Sequence, residues 1–187
     1  MPADVPGARD VTATQRAAPR AALVLTISDG VAAGVREDGS GAVLAARLQA
    51  LGFGPVERAV VPDEVAAIRA ALTDAADVRR VPLILTTGGT GLTPRDVTPE
   101  ATAPMLDYEI PGFAEAMRAD GRRNTPMAIL SRSLAGVRGR SLIVNLPGSP
   151  KGALESLASL EPVLAHALET LAGPFAHAGW EKEAPAP

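Results

Sequence analysis

The chain has no cysteine and only two histidines among its 187 residues. The lack of cysteine excludes disulfides, thiolate nucleophiles and cysteine-based zinc or iron–sulfur sites. The two histidines, His166 and His177, are eleven positions apart near the C-terminus, a spacing that fits neither a zinc helix nor an obvious catalytic triad. Any catalysis must therefore use carboxylates, hydroxyls, lysine, arginine, backbone amides or a hard metal ion.

Aromatic residues are also scarce, at 3%, and the net charge is only −3. Without a stacking platform or a basic patch, the chain is not expected to bind nucleic acid. No apolar run reaches the ~18 residues of a membrane span, and the first twenty residues lack the apolar core of a secretory signal. We therefore expect a soluble, cytoplasmic protein with no membrane partner.

One folded domain is expected over residues 21–172. The apolar content of 47% is sufficient for a single core in a chain of this length. Residues 1–20 mix acids, bases, proline and threonine without periodicity, so we expect a disordered N-terminal segment there. Residues 173–187 end in proline and alanine and are expected to form a flexible tail.

Short apolar runs alternate with amphipathic segments through the first half of the chain. Strands are predicted at 21–27, 56–61 and 82–87, with helices beginning near Gly41 and spanning 64–77. This alternation predicts a three-layer α/β fold, in which helices cover both faces of a mostly parallel sheet.

The second half departs from that regular alternation. Two helices that begin with proline are predicted at 99–107 and 111–119. Strands predicted at 128–135 and 140–146 would form a small antiparallel hairpin, with the second strand central in the sheet. A long leucine-striped helix follows, and Pro162 is expected to kink or split it.

The most informative segment follows the third strand and reads TTGGTGLTPRDVTPE. Its glycines let backbone amides approach an anion, and its threonines add hydroxyl donors. It is neither a Walker loop nor a dinucleotide fingerprint, because the required spacing is missing. The alternative is a tight turn, but so many glycines and threonines favour a phosphate cradle. The candidate contacts are Thr86, Thr87, Gly88, Gly89, Thr90 and Gly91.

Two carboxylates should lie beside this cradle, Asp63 after the second strand and Asp96 after the glycines. Thr98 is expected to cap the next helix, which leaves Asp96 free, whereas Asp63 is equally well interpreted as the N-cap of a helix beginning at Glu64. Carboxylates together with phosphate oxygens are the ligands that Mg²⁺ prefers. We therefore predict that Asp63 and Asp96 hold Mg²⁺ for phosphoryl or nucleotidyl transfer.

Further polar residues follow the first strand. Ser28 and Asp29 end it, and Asp29 and Asp38 extend the acidic group. Ser40 could donate to an anion at the next helix N-terminus. Turn formation and helix capping are the alternative for these residues, and the better one for Asp38.

The last strand also ends in a candidate anion site. Gly148 and Ser149 stand at the start of the final helix, close to the ammonium of Lys151. On spacing alone, an ordinary helix cap at Ser149 is the preferred interpretation.

Four separated segments together resemble the molybdopterin adenylyltransferase family of molybdenum cofactor biosynthesis, which includes gephyrin G domains. They read SDGVAAGVREDGSG (28–41), TTGGTGLTPRDVTPEAT (86–102), IPGFAEAMR (110–118) and NLPGSPKG (145–152). The resemblance extends from the first strand to the last helix. A match over several separated loops is far more specific than one glycine motif.

The resemblance implies that the terminal phosphate of molybdopterin attacks the α-phosphate of Mg²⁺-bound ATP, giving adenylylated molybdopterin and pyrophosphate. It implies catalytic roles for Asp63 and Asp96, nucleotide binding by residues 88–91, and a place in the ligand pocket for Gly148 and Ser149. Family members form trimers or hexamers, and their product goes on to metal insertion.

One departure concerns Gly30, since many relatives have a larger residue there, often arginine. The absence of a larger side chain at position 30 is expected to affect ligand affinity more than the type of reaction. Two other functions remain open: a molybdopterin-binding carrier or scaffold without catalysis, and a nucleotide pyrophosphatase of the same fold. The presence of both Asp63 and Asp96 argues against a carrier or scaffold. The amino-acid sequence of the segment Thr90–Asp96 argues against a pyrophosphatase.

Overall fold

A computed structural model describes residues 20–173, and its core is one six-stranded sheet. The expectations for the two ends of the chain concern residues that lie almost entirely outside this range. The strands are β1 (Ala22–Ile27), β2 (Val56–Val61), β3 (Leu83–Thr87), β4 (Tyr108–Glu109), β5 (Ala135–Arg138) and β6 (Ser141–Leu146).

The strand order is β2-β1-β3-β6-β5-β4. The first four strands in this order are parallel, whereas β5 pairs antiparallel with both β6 and β4. The predicted mostly parallel sheet, the antiparallel hairpin and the central place of β6 are thereby confirmed.

Six α-helices surround this sheet within the described range. They are α1 (Asp29–Ala32), α2 (Gly39–Ala50), α3 (Val65–Thr73), α4 (Thr98–Thr102), α5 (Pro111–Asn124) and α6 (Pro150–Ala172). A π turn (Asp74–Val78) continues α3, and 3-10 turns occupy Ala103–Met105 and Pro126–Leu130. No helix among residues 20–173 is long and apolar enough to cross a membrane.

Side chains of alternate residues in the buried strands point to opposite faces of the sheet. Leu83 and Leu85 of β3 pack beneath α2, α5 and α6, whereas Ile84 between them faces α3 and α4. Successive side chains of a strand point to opposite sides, so a strand covered on both faces must be apolar throughout. This confirms the three-layer α/β fold.

The strand predicted at 128–135 is wrong. Pro126–Leu130 forms a 3-10 turn, in which the hydroxyl of Thr125 accepts from the amide of Met127, and the strand begins only at Ala135. The side chains of Met127 and Ile129 are 62% and 57% exposed, so the apolar run does not bury a sheet face. The segment packs beside the glycine loop instead.

Helix ends account for the remaining corrections. The helix predicted at 99–107 stops at Thr102 because Pro104 has no amide hydrogen to continue it. Two other helices were predicted at 64–77 and 111–119; the first becomes a π turn from Asp74, and the second extends to Asn124. Helix α6 remains one helix through Pro162 and is not split there.

The central strands provide a direct test of the core. Leu85→Ala should lower the free energy of unfolding by about 2–5 kcal/mol, because it removes a fully buried side chain between two layers. Urea unfolding monitored by circular dichroism measures this loss. Val35→Ala, at a side chain that is 81% exposed, should change it by less than about 0.5 kcal/mol. Equal losses in the two variants would contradict this description of the core.

Candidate functional site

The four parallel strands place their carboxyl ends along one edge of the sheet, as expected. The loops that follow β1, β2, β3 and β6 therefore share this edge. Strand β1 lies between β2 and β3, so Asp63 and Asp96 follow strands that are not neighbours in the sheet. Asp29, at the end of β1, stands between them in strand order.

The glycines after β3 are required by the packing of the protein itself. Gly88 has φ +110°, and a Cβ there would collide with the carbonyl oxygen of Ile27. Gly89 has φ +62°, and a Cβ would collide with the hydroxyl of Thr98. The sequence analysis attributes these glycines to the approach of a ligand. The structure shows that contacts within the protein require Gly88 and Gly89 as well. The loop is compressed against β1 and α4.

This compression leaves two backbone donors unpaired. Among residues 20–173, the amides of Gly89 and Thr90 donate to no other residue, whereas the Gly88 amide bonds to the carbonyl of Leu146 at 3.2 Å. Adjacent free amides in a glycine turn are suited to bind an anion. The candidate cradle is therefore narrower than the six residues of the sequence prediction.

The carboxylates of Asp63 and Asp96 flank this same turn. Asp63 Oδ1 lies 3.2 Å from the position of a Cβ on Gly89, and Asp96 Oδ2 lies 2.9 Å from that of a Cβ on Gly91. The two side chains thus converge on the loop although their strands are not adjacent.

Asp63 is held by a reciprocal pair of hydrogen bonds with Asp29. The amide of Asp29 donates to Asp63 Oδ2 at 2.8 Å, and the amide of Asp63 donates to Asp29 Oδ1 at 3.0 Å. Arg95 completes the arrangement with donors 2.6–3.0 Å from the Asp29 carboxylate. Asp63 is therefore not the N-cap of α3, which begins after Glu64 without a side-chain cap.

Asp96 is held by the backbone of its own loop. The amide of Thr93 donates to Asp96 Oδ2 at 2.8 Å, and the Asp96 amide donates back to the Thr93 carbonyl at 2.9 Å. Thr98 does not cap α4 as expected; Val97 occupies that position without a side-chain bond. Instead, the Thr98 hydroxyl donates to the carbonyl of Gly88 at 2.8 Å.

The two carboxyls differ in their electrostatics. Burial raises the pKa of Asp63, and the negative charges of Asp29 and Asp96 add to this rise. Burial also opposes ionisation of Asp96, but hydrogen bonds from Thr93 and Gly91 outweigh it and lower the pKa of that carboxyl. Accumulated negative charge at Asp63 favours a cation beside it.

A buried polar network supports the loop from beneath. Asn145 in β6 donates from Nδ2 to the hydroxyls of Thr86 at 2.9 Å and Thr102 at 3.2 Å. Thr102 then donates to the carbonyl of Thr98 at 2.8 Å, and Thr98 holds Gly88. These hydrogen bonds connect β3, β6 and α4 to the base of the glycine turn.

A cleft of about 600 Å³ opens beside this turn. Its lining includes the loops after β3 and β6 and apolar side chains such as Met117, Met127 and Leu130. A pocket of this size is suited to a small organic ligand with a charged group at one end.

Half of the residues predicted for the site line this cleft. They are Gly89, Thr90, Gly91, Asp96, Gly148 and Ser149. The others are not among its lining residues: Ser28, Asp29, Ser40, Asp63, Thr87 and Gly88.

Several of these other residues have structural partners. The Thr87 hydroxyl donates to the Pro147 carbonyl at 2.7 Å, joining the loops after β3 and β6. Ser28 caps α1, and Ser40 is buried in the first turn of α2. Their substrate contacts remain predictions.

The helix-cap interpretations of Asp38 and Ser149 are confirmed. Asp38 Oδ1 accepts from the amide of Gly41 at 2.9 Å and from the hydroxyl of Thr26 at 2.8 Å. Ser149 caps α6 by accepting from the amide of Gly152 at 3.1 Å, yet it also lines the cleft.

Two arginines at the candidate site were not among the predicted site residues. Arg118 lines it, and Arg132 binds the glycine loop from the side. Nothing in the sequence indicates these contacts, because Arg132 fell within the incorrectly predicted strand.

Asp63 and Asp96 are better suited to bind Mg²⁺ together with substrate and water than to form a metal site made of protein ligands alone. The described residues contain no group of three or more His, Cys, Asp or Glu side chains arranged to hold a metal ion. Mg²⁺ commonly uses one or two carboxylates and completes its shell with phosphate oxygens and water. The pair of Asp63 and Asp96 beside free amides suits that pattern.

Fold and cleft together define a class: an α/β protein with a cleft beside a glycine turn at the carboxyl edge of its sheet. The family model described as "Probable molybdopterin binding domain" matches residues 23–166. The chain belongs to this molybdopterin-binding family, which confirms the resemblance found in the sequence.

Similar proteins have consistent names. The molybdopterin adenylyltransferase of Helicobacter pylori J99 is 40% identical over 154 residues, covering 81% of this chain and 88% of the relative. The molybdopterin adenylyltransferase of Escherichia coli K12 is 42% identical over 136 residues, covering 72% and 70%.

Solved structures agree with the fold. The molybdopterin biosynthesis enzyme MoaB from Thermus thermophilus is 51% identical with a TM-score of 0.75, over 82% of this chain and 97% of that one. The molybdopterin biosynthesis Mog protein of Mycobacterium ulcerans is 44% identical with a TM-score of 0.78, over 82% and 99%.

The cap at Asp38 gives a pH-dependent prediction. Burial opposes its ionisation, but hydrogen bonds from Arg58, Thr26 and Gly41 outweigh that effect and lower the pKa of the carboxyl. The stability it contributes is therefore present above its unfolded pKa and is lost as pH falls through the lower folded pKa. Asp38→Asn should be less stable than the parent by about 1–3 kcal/mol at neutral pH.

Urea titrations at pH 7 and near pH 3 measure this difference, which should shrink at the lower pH. Asp74→Asn is the matched control, since this carboxylate is 55% exposed and its bridge to Arg79 is long, at 3.6 Å. A loss in Asp38→Asn that does not depend on pH would contradict the electrostatic explanation.

Proposed function

We propose that this protein is a molybdopterin adenylyltransferase that acts in molybdenum cofactor biosynthesis with Mg²⁺. The terminal phosphate oxygen of molybdopterin attacks the α-phosphorus of ATP, and the bond to pyrophosphate breaks. The observation that carries the proposal is the convergence of Asp63 and Asp96 on a turn with free amides at Gly89 and Thr90. The names of the relatives support the same reaction.

Each part of the site has a role in this proposal. The amides of Gly89 and Thr90 would bind phosphate oxygens, and Asp63 and Asp96 would hold Mg²⁺. When bound, the ion neutralises negative charge on the phosphates during transfer. The apolar side chains that line the cleft would contact an organic ring of one substrate.

Gly148 and Ser149 extend the polar wall of the cleft. They lie where β6 ends, and a Cβ on Gly148 would be 3.1 Å from Gly88 Cα. Both loops therefore approach one another closely enough to contact a single ligand. Ser28, Asp29, Ser40, Thr87, Gly88 and Gly91 are assigned supporting contacts to substrate in the same proposal.

The other two functions have less support. A carrier of molybdopterin would not require two acidic side chains beside a phosphate site. No specific observation on the described residues favours a nucleotide pyrophosphatase.

The proposal includes an assembly and a place in the cell. We propose a homotrimer, or a hexamer built from trimers, that acts in the cytoplasm, where ATP is available. Its product would pass to a metal-insertion protein. Light scattering of the purified chain measures the assembly independently of activity.

Asp63→Asn and Asp96→Asn should each reduce adenylyl transfer by several orders of magnitude while the protein stays folded. Each change replaces a carboxylate that would bind Mg²⁺ with a neutral amide, which weakens binding of the ion that neutralises the phosphates. Release of pyrophosphate and formation of adenylylated molybdopterin are measured with ATP, Mg²⁺ and molybdopterin. Circular dichroism checks the fold of both variants.

Asp74→Asn, away from the cleft, is the control and should retain full turnover. Near-normal turnover in Asp63→Asn or Asp96→Asn would remove that residue from the mechanism. Release of AMP from a dinucleotide diphosphate without molybdopterin would favour the pyrophosphatase instead.

A further inference from the structure

Arg132 makes an unusual set of contacts with the loop that contains the candidate site. Its amide donates to the carbonyl of Thr90 at 3.0 Å, and its Nε donates to the carbonyl of Gly91 at 2.7 Å. Its Nη2 donates to the backbone carbonyl of Asp96, and its Nη1 pairs with the carboxylate of Glu100. One side chain thus binds both ends of the segment that carries Asp96.

These contacts determine which way the peptide groups of the loop face. The carbonyls of Gly91 and Asp96 point to the Arg132 guanidinium, so their dipoles are directed at a cation, and the carbonyl of Thr90 is held by the backbone amide of Arg132. A carbonyl oxygen turned toward the cleft would repel a phosphate, because both carry negative charge. Fixing the carbonyls on Arg132 keeps that negative potential away from the ligand.

Only an arginine can make this set of contacts. A guanidinium presents five N–H donors in one rigid plane, whereas an ammonium is a compact charge on a flexible stem. The Arg132 side chain is 34% exposed, so it lies at the loop surface and is not part of the core. Its change should therefore affect the loop more than the global fold.

We propose that Arg132 is a positioning residue for the nucleotide: it binds the Gly91 and Asp96 carbonyls so that the free amides and the Asp96 carboxylate face the phosphates. This inference rests on the proposed function, although the geometry of the loop can be measured without it.

The experiment compares three variants. Arg132→Lys keeps the positive charge but cannot bridge both carbonyls, and it should raise KM for ATP about tenfold and lower kcat/KM by at least as much. Glu100→Gln removes the ion pair but leaves both carbonyl contacts, and it should stay within about twofold of the parent.

Arg138→Lys is the matched control. Arg138 also binds a carboxylate, that of Asp77 at 2.6 and 2.7 Å, and a backbone carbonyl, that of Met105 at 2.7 Å. These partners lie outside the cleft lining, so this variant should leave KM unchanged.

A second measurement does not depend on turnover. Hydrogen exchange of the hydrogen-bonded loop amides, those of Gly91, Thr93 and Asp96, should accelerate in Arg132→Lys and not in the other two variants. Calorimetric titration with ATP and Mg²⁺ should show weaker binding in Arg132→Lys alone.

The outcomes distinguish failure of the proposed function from failure of the positioning role of Arg132. If the parent protein neither binds ATP nor adenylylates molybdopterin, the proposed function fails, and loop exchange still tests the role of Arg132. If the parent is active and Arg132→Lys matches it in KM, ATP affinity and exchange, the positioning role is overturned. If Glu100→Gln is as impaired as Arg132→Lys, the ion pair and not the carbonyl contacts holds the loop, which also overturns it.

Discussion

The candidate site depends on the close packing of one glycine turn against the ends of three strands. Gly88 touches the carbonyl of Ile27 so closely that no side chain fits, and Gly148 approaches it from the loop after β6. The hydroxyl of Thr98 then binds the Gly88 carbonyl. Because the turn is held at these points, the amides of Gly89 and Thr90 remain unpaired and accessible to an anion.

The same packing brings together carboxylates that repel one another. Asp63 and Asp96 approach the turn from opposite sides of β1, and Asp29 lies between them in strand order. Arg95 compensates part of this charge by binding Asp29, yet Asp63 keeps a raised pKa. Such a cluster costs stability unless a cation offsets it, which is typical of a functional site.

The sequence allowed prediction of the elements whose pattern is local. Strands such as Ala22–Ile27 were predicted to within one residue because apolar runs between turn residues are typical of strands in this fold. Asp63, Asp96 and the glycine loop were predicted because strand ends meet at one edge. What could not be predicted depends on distant contacts: the segment before β5 is as apolar as a strand, but the bonds from Arg132 direct it to the glycine loop.

In the loop after β1, the neighbouring residues Val35 and Arg36 surround Gly30. The carbonyl of Gly30 accepts from the amides of both Val35 and Arg36, at 2.9 and 3.0 Å. A Cβ on Gly30 would lie 3.5 Å from Arg36 Cβ and 3.7 Å from its Nε, so the arginine side chain occupies the adjacent space. A longer side chain at position 30 would compete with Arg36 for that space. The glycine therefore fits the local fold of the loop, and its presence does not by itself indicate a weakened site.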